Sequence, residues 1–311
     1  MPGIRHFRNG PFAAAAALCL AAAGCAGGEG PTTASSPSAA PGASPTAEGP
    51  AQIRMVDYGF LVTGTLVQGG TVRFANEGRE LHMVEPFKLK EGKKASDVVA
   101  ALQLPDEAAS EQAFMAAMDE VDSVTRGIFT PGTVDVPVDL APGNYALVCF
   151  VPTAGEGMPH ALKGMVNEVT VAAPAGAAPT PEPADATYEV TKGKALDGPA
   201  TLTKGRHVIE LEGANGTEEL NPTLVKLDEG KKFGDVVGTV DQLFVAEEPP
   251  AKGYLEEWPG ELPFALGDIG ATKSVTLALD LEPGTYVLAA FDTDADQIST
   301  NPPEQITITV A

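Results

Sequence analysis

Cysteine is scarce in this chain. Of 311 residues only Cys19, Cys25 and Cys149 carry a thiol, and two of them fall within the first 25 positions. The folded part therefore cannot be held by a disulfide framework. Positive charge is also short: 20 Lys and Arg stand against 42 Asp and Glu, a formal charge of −22. So acidic a chain lacks the basic footprint of a nucleic-acid binder. Its surplus of carboxylates serves colloidal stability or docking to a basic partner. Aromatics amount to only 6%, and with 34 Gly and 27 Pro the sequence is broken too often to form a helical bundle. At this length two domains are expected.

What is present first is an address. Arg5 and Arg8 precede a twelve-residue apolar run, Phe12 to Ala23, and Gly24-Cys25 closes it. Twelve residues are too few to span a bilayer, and the pattern is that of a signal peptide over 1–25. The closing Ala22-Ala23-Gly24-Cys25 resembles a bacterial lipobox, which implies lipidation of Cys25 and a membrane partner at the extracytoplasmic face. Cleavage at Ala21-Ala22-Ala23 is the alternative and would release a secreted protein. Residues 26–50 contain no Val, Ile, Leu or aromatic residue. They can bury nothing and read as a disordered tether with a reach of about 30 Å.

A second Ala/Pro-rich stretch, 173–185, reads as a linker, and the segments flanking it repeat each other. Lys88 to Val99 (KLKEGKKASDVV) and Lys226 to Val237 (KLDEGKKFGDVV) agree at nine of twelve positions. Leu140 to Leu147 (LAPGNYAL) recurs as Leu281 to Leu288 (LEPGTYVL). The order and spacing of both blocks are kept, so the chain is an internal duplication, with one copy over 51–172 and the other over 186–311.

Within each copy the pattern is mostly period two. Val134 to Leu140 and Val275 to Leu281 alternate as half-buried strands do, each passing through a Pro-Gly turn into a Tyr-containing apolar strand. Thr71 to Ala75, Asn167 to Ala172 and Gln305 to Val310 are further predicted strands. Helical spacing is confined to Ala95–Leu104, Asp106–Met118 and Gly234–Leu243. The expected fold class is all-β: two tandem Greek-key β-sandwich domains with short helical insertions.

Four histidines occur, and His6 lies in the signal segment. Of the rest, His82 follows the Thr71–Ala75 strand, Cys149 ends an apolar strand, and His160 and Met165 follow in the next loop. Two imidazoles, one thiolate and a long axial thioether make up a type 1 copper set. Thiolate favours Cu(I), imidazole suits Cu(II), and a compromise geometry lets an electron move with little rearrangement. Taken singly, a Cys on an apolar strand is usually a small buried hydrophobe. The order and spacing of all four are what point to metal.

Here the chain resembles the cupredoxins, the blue copper fold of plastocyanin, azurin and the type 1 domain of copper nitrite reductase. The likeness covers the first copy in pattern and Tyr145 to Val171 in detail. Gly157-Met158-Pro159-His160 followed by Gly164-Met165 is similar to the nitrite reductase ligand loop. The resemblance implies His82, Cys149, His160 and Met165 as copper ligands. One copper per chain is expected, since the second copy lacks these ligands, and His160, in a Gly/Pro-bordered loop, is expected to be the more exposed imidazole. It departs from the family in two places: the ten-residue interval from Cys149 to His160 is long, and Met83 stands where many members carry an Asn that ties the ligand loops together.

No catalytic residues are assigned. A nitrite reductase type 2 site needs three further histidines, one immediately before the ligand Cys, where this chain has Val148. Only His207 is left, and the His-x-His pairs of multicopper oxidases do not occur. Two readings remain. One is an electron carrier or copper-handling protein with a redox or copper-exchange protein partner; the other is a metal-free binding or scaffolding module. In the second copy Leu220 aligns with His82 and Ala290 with Cys149, so no metal is expected there.

Overall fold

The computed structural model describes residues 50–119, 128–129, 132–176, 180, 182–214, 220–240, 260–266, 274–292 and 304–311. The readings of residues 1–49, Cys25 included, lie outside that set. In the first half the elements are β1 (Ala51–Val56), β2 (Gly59–Thr63), β3 (Leu66–Val67), β4 (Thr71–Asn76), β5 (Met83–Leu89), α1 (Ala95–Leu102), α2 (Glu107–Ala117), β6 (Met118–Asp119), β7 (Ile128–Phe129), β8 (Thr133–Pro137), β9 (Gly143–Val148) and β10 (Val166–Ala172). The second half supplies β11 (Ala186–Val190), β12 (Thr201–Leu202), β13 (Gly205–Gly213), β14 (Leu220–Leu227), α3 (Phe233–Val240), β15 (Gly260–Ala265), β16 (Ser274–Leu281), β17 (Gly284–Asp292) and β18 (Glu304–Val310).

The protein is all-β with short helices. A seven-stranded sheet, β11-β13-β16-β8-β4-β1-β2, faces an eleven-stranded one, β12-β18-β17-β14-β15-β7-β5-β9-β10-β3, with β6 paired to β5. Each sheet is continuous through both halves. The halves join edge to edge, β8 to β16 through Asp135 and Ala278, and β7 to β15 through Phe129 and Ala265. Each junction thus pairs a strand with its own counterpart in the other half, as in an isologous two-fold interface.

Alternation builds the sandwich. β1 and β8 bury every second side chain, as does most of β16, and these residues meet those of the opposite sheet in one large apolar core. The central strand β9 instead buries four residues in a row, Tyr145 to Val148. Leu147, Cys149 and Val151 face the sandwich interior, while Ala146, Val148 and Phe150 face outward into a second core with Phe87, Val98, Phe114 and Ala117. The helices α1 and α2 form that cover, and the rings of Phe87, Phe114 and Phe150 pack mutually at 5.2 to 6.1 Å between centroids. Burying a Phe side chain of this kind is worth about 1.5–3 kcal/mol.

The two halves repeat in detail. Tyr145 donates its hydroxyl to the Ala141 carbonyl at 2.6 Å and Tyr286 to that of Glu282 at 2.8 Å, each bracing a corner four residues upstream. The backbone N–H groups of Lys94 and Lys232, just before α1 and α3, donate to Asp97 and Asp235, each at 2.8 Å. Lys88 lies opposite Tyr145 as Lys226 lies opposite Tyr286. By that register Leu220 and Ala290 occupy the positions of His82 and Cys149, and both are fully buried.

Candidate metal centre

His82 immediately precedes β5, at the end of a tightly bonded turn. Asn76 accepts the Gly78 N–H and donates to the Glu80 carbonyl, and Asp57, in the β1–β2 turn, accepts the Arg79 N–H at 2.7 Å. Cys149 follows the last residue of β9, and backbone bonds hold the loop after it. Ala161 N–H donates to the Cys149 carbonyl, His160 N–H to Val151, Met165 N–H to His160, and Cys149 N–H to Met165.

The long Cys149–His160 interval is accommodated as a small hairpin. Pro152 bridges Pro159, and Thr153 donates through both its N–H and its hydroxyl to the Met158 carbonyl. The turn needs Gly155 and Gly157, at φ 71° and 70°, where a Cβ is disfavoured. The extra length is spent in this hairpin, and His160 stays beside Cys149 at the start of a 3₁₀ turn, His160–Lys163.

The structure brings His82, Cys149 and His160 together. Their nearest donor atoms lie within 4.8 Å of one another, and all three residues are wholly buried. The two imidazoles meet Nδ1 to Nδ1 at 3.1 Å, and Cys149 Sγ lies 3.5 Å from His160 Nδ1. Met165 is buried in the same core as Cys149 and joined to both His160 and Cys149 by backbone hydrogen bonds.

Surrounding groups orient these donors. Met83 N–H donates to Cys149 Sγ at 3.4 Å, so a backbone amide reaches the sulfur although residue 83 offers no side-chain amide. Glu80 accepts the Tyr58 hydroxyl at 2.8 Å and His160 Nε2–H at 3.0 Å. Burial raises the Glu80 carboxyl, but those two hydrogen bonds, the neighbouring imidazole and the Ala154 N–H together leave Glu80 below its ordinary value. An ionised carboxylate on Nε2 fixes the proton there and leaves His160 Nδ1 a bare lone pair.

His160 is a correction to the sequence reading. It is fully buried beneath Glu80 and Tyr58, whose ring stands edge-on to the imidazole at 5.2 Å, and Lys163 lies 4.8 Å over the Tyr58 ring. Tyr58 sits at φ 64°, a left-handed conformation that costs a residue with a Cβ about 1–2 kcal/mol. Glu80, Tyr58 and Asp57 carried no sequence signal, because their part depends on three chain segments meeting.

The donor set fits one copper ion of the type 1 kind. Three donors about 2.0–2.3 Å from a common centre are separated by about 3.3–3.7 Å, close to the 3.1 and 3.5 Å that separate His160 Nδ1 from His82 Nδ1 and Cys149 Sγ. His82 Nε2 supplies a second test: it is buried without a hydrogen-bond partner, 3.5 Å from Asp57 Oδ1. A cation on Nδ1 would hold His82 as the Nε2–H tautomer and turn that orphan into a donor aimed at Asp57. Without metal, burial together with the neighbouring His160 lowers His82 to about 4, and burial pushes the Cys149 thiol up to about 12. Burial also lowers His160, so both imidazoles favour the neutral, metal-binding form, and a cation need displace only the thiol proton.

The remaining sequence candidates are placed differently. His207 in β13 bonds to Asp185 at 3.0 Å and to the Thr203 carbonyl at 2.7 Å, far along the chain from any thiol, as a satisfied structural imidazole. Val148 is buried in the outer, helix-covered core.

Fold and site together define a β-sandwich protein with a buried imidazole–thiol centre suited to one copper. No protein-family model matches the sequence, and no curated protein does. Among solved structures, a dithionite-reduced auracyanin from Roseiflexus castenholzii is similar at 21% identity, over 40% of this chain and 94% of its own, with a TM-score of 0.28. Auracyanin A, a "blue" copper protein of Chloroflexus aurantiacus, is 19% identical over 40% and 98%, at 0.25. Copper nitrite reductase from Nitrosomonas europaea is 10% identical over 84% and 93%, at 0.22. Likeness at this level carries no argument about function, and the copper reading rests on the side-chain geometry.

Proposed function

We propose that this chain is a membrane-tethered, extracytoplasmic protein that holds one type 1 copper through His82, Cys149, His160 and Met165 and passes single electrons between protein partners. The observation that carries the reading is the convergence of two Nδ1 atoms and one Sγ in a fully buried pocket. Bound there, copper would supply one-electron exchange between its cuprous and cupric states. The chain's own residues do the rest. Cys149 gives up its proton to become a ligand, the Met83 amide steadies the sulfur, and the sandwich core keeps water away. The backbone bonds of the 149–165 loop hold the donors in one arrangement, which keeps rearrangement on electron transfer small.

Burial favours electron transfer over copper exchange. Handing over the ion requires a partner's ligand to reach it, and neither imidazole is open to solvent. Attachment at Cys25 and the tether over 26–50 belong to this proposal on the strength of the Gly24-Cys25 ending and the composition that follows it. No catalytic residue is assigned.

Copper-loaded protein should be blue, with one copper per chain and an intense thiolate band. A wild type that takes up no copper would leave the metal-free binding module as the reading. Cys25→Ala should move the protein from the membrane fraction to the soluble secreted one.

A further inference from the structure

We infer that Glu80 is the positioning residue of this centre: it locks His160 toward the metal side and, with Tyr58, closes the imidazole to solvent and to foreign ligands. The metal half of this inference rests on the copper reading above, whereas the closure half stands on the metal-free geometry.

Glu80 joins four segments at one point. Its carboxylate takes the Tyr58 hydroxyl from the β1–β2 turn, His160 Nε2–H from the 3₁₀ turn, and at 3.5 Å the Ala154 N–H from the Pro152–Pro159 hairpin. Its own carbonyl receives the Asn76 amide, and its N–H bonds back to Asp57. The Asn that ties these loops in the resembling family is replaced by Met83, whose N–H reaches only the sulfur. The Glu80 carboxylate itself puts a negative charge one hydrogen bond from a ligand imidazole, which favours the more highly charged cupric state.

Tyr58 supports the same reading. Its left-handed backbone would suit Gly or Asn, yet the position holds a large ring set edge-on over His160, bonded through its hydroxyl to Glu80 and lying under Lys163. Lys163 is itself paired with Glu156 at 2.7 Å, which adds an outer clasp. Strain of this kind persists where the surroundings dictate it.

The test uses the full chain in both metal-free and copper-loaded forms. In metal-free protein, diethyl pyrocarbonate should modify His160 about tenfold faster in Glu80→Ala than in wild type, as loss of a closed local structure implies. Tyr58→Gly, which relieves the backbone, should give the same exposure without loss of fold. In copper-loaded protein, Glu80→Gln should keep the colour and raise the reduction potential, and Glu80→Ala should lower copper affinity about 10- to 100-fold. Equal His160 modification in wild type and both variants would overturn the closure. An unchanged potential in Glu80→Gln together with unchanged affinity in Glu80→Ala would overturn the positioning role. If wild type binds no copper, the copper reading fails, and the modification rates alone decide whether Glu80 and Tyr58 close the site.

Discussion

His82 and His160, both fully buried, face each other Nδ1 to Nδ1 across 3.1 Å. Two imidazole lone pairs can meet this way only with a proton or a cation between them, and Glu80 already holds the His160 proton on Nε2. Cys149→Ser should therefore abolish the intense visible band, since that band needs a copper–thiolate bond and an alcohol cannot supply one. Residual colourless copper on the two imidazoles is consistent with this; a Cys149→Ser variant that remains blue is not. Met165→Leu should keep the colour and raise the potential, because removing a weak axial donor costs the cupric state more.

Gly78 packs directly against the ligand turn. A Cβ there would stand 2.5 Å from both His82 Nε2 and Asp57 Oδ1. Gly78→Ala must push the imidazole off its line to the sulfur, lowering copper affinity about tenfold or more and stability by about 1–3 kcal/mol. Gly234→Ala is the control, since nothing lies within 4 Å of its added Cβ. Copper titration of the two variants compares them, and equal affinities would refute the steric argument.

Much of this was readable from the chain before folding. Period-two patterning located the strands, and where both faces are buried, as in β9, apolar content and the Pro-Gly turn served instead. The helices formed where spacing placed them, Ala95–Leu102 and Glu107–Ala117, with Phe233–Val240 ending at the limit of the described residues. Val134–Leu140 ended early as a strand, because Val138 leaves the ladder to bond with the Gly69–Gly70 turn. The spacing of His82, Cys149 and His160 foretold their meeting. The burial of His160 was not legible, because its cover comes from Tyr58 and Glu80, about 100 and 80 positions upstream. Nor was the joining of the halves into continuous sheets, which depends on edges rather than on periodicity.

Val148, immediately before Cys149, is buried in the helix-covered core with Phe87, Phe114 and Phe150. Val148→His should gain no second copper and should lose about 2–4 kcal/mol of stability, because a polar ring would be buried without partners in a packed apolar cluster. Denaturant midpoints and metal content test this together. A stable variant holding two coppers would refute it.

His207 provides a pH dependence separate from the metal centre. Burial lowers its pKa, but the hydrogen bonds to Thr203 and Asp185 outweigh that and leave it above its ordinary value. A raised folded pKa means the charged form is favoured by folding. The resulting stability is fully present below about pH 6.5, the unfolded value, and is lost as pH rises through the higher folded one. The difference in unfolding free energy between wild type and His207→Gln should therefore shrink from pH 6 toward pH 8. Asp185→Asn should flatten that trend, and a difference independent of pH would contradict it.

The second half should bind no copper, since Leu220 and Ala290 fill the places of His82 and Cys149 with apolar groups that have nothing to donate. Its isolated form, residues 186–311, should also reveal what the junction does. In the whole chain β16 is covered by β8 and β15 by β7, each strand meeting its own counterpart from the other half. Cutting the chain leaves both edges unpaired, and unpaired edges seek a partner. A second copy of the same fragment offers the same strands in the same two-fold relation, so the fragment should assemble as a dimer through β15 and β16 and contain no metal. Sedimentation and metal analysis of 186–311 measure both points. A monomer with full strand content would mean the junction is dispensable, and stoichiometric copper would mean that a site survives where both aligned ligand positions are apolar.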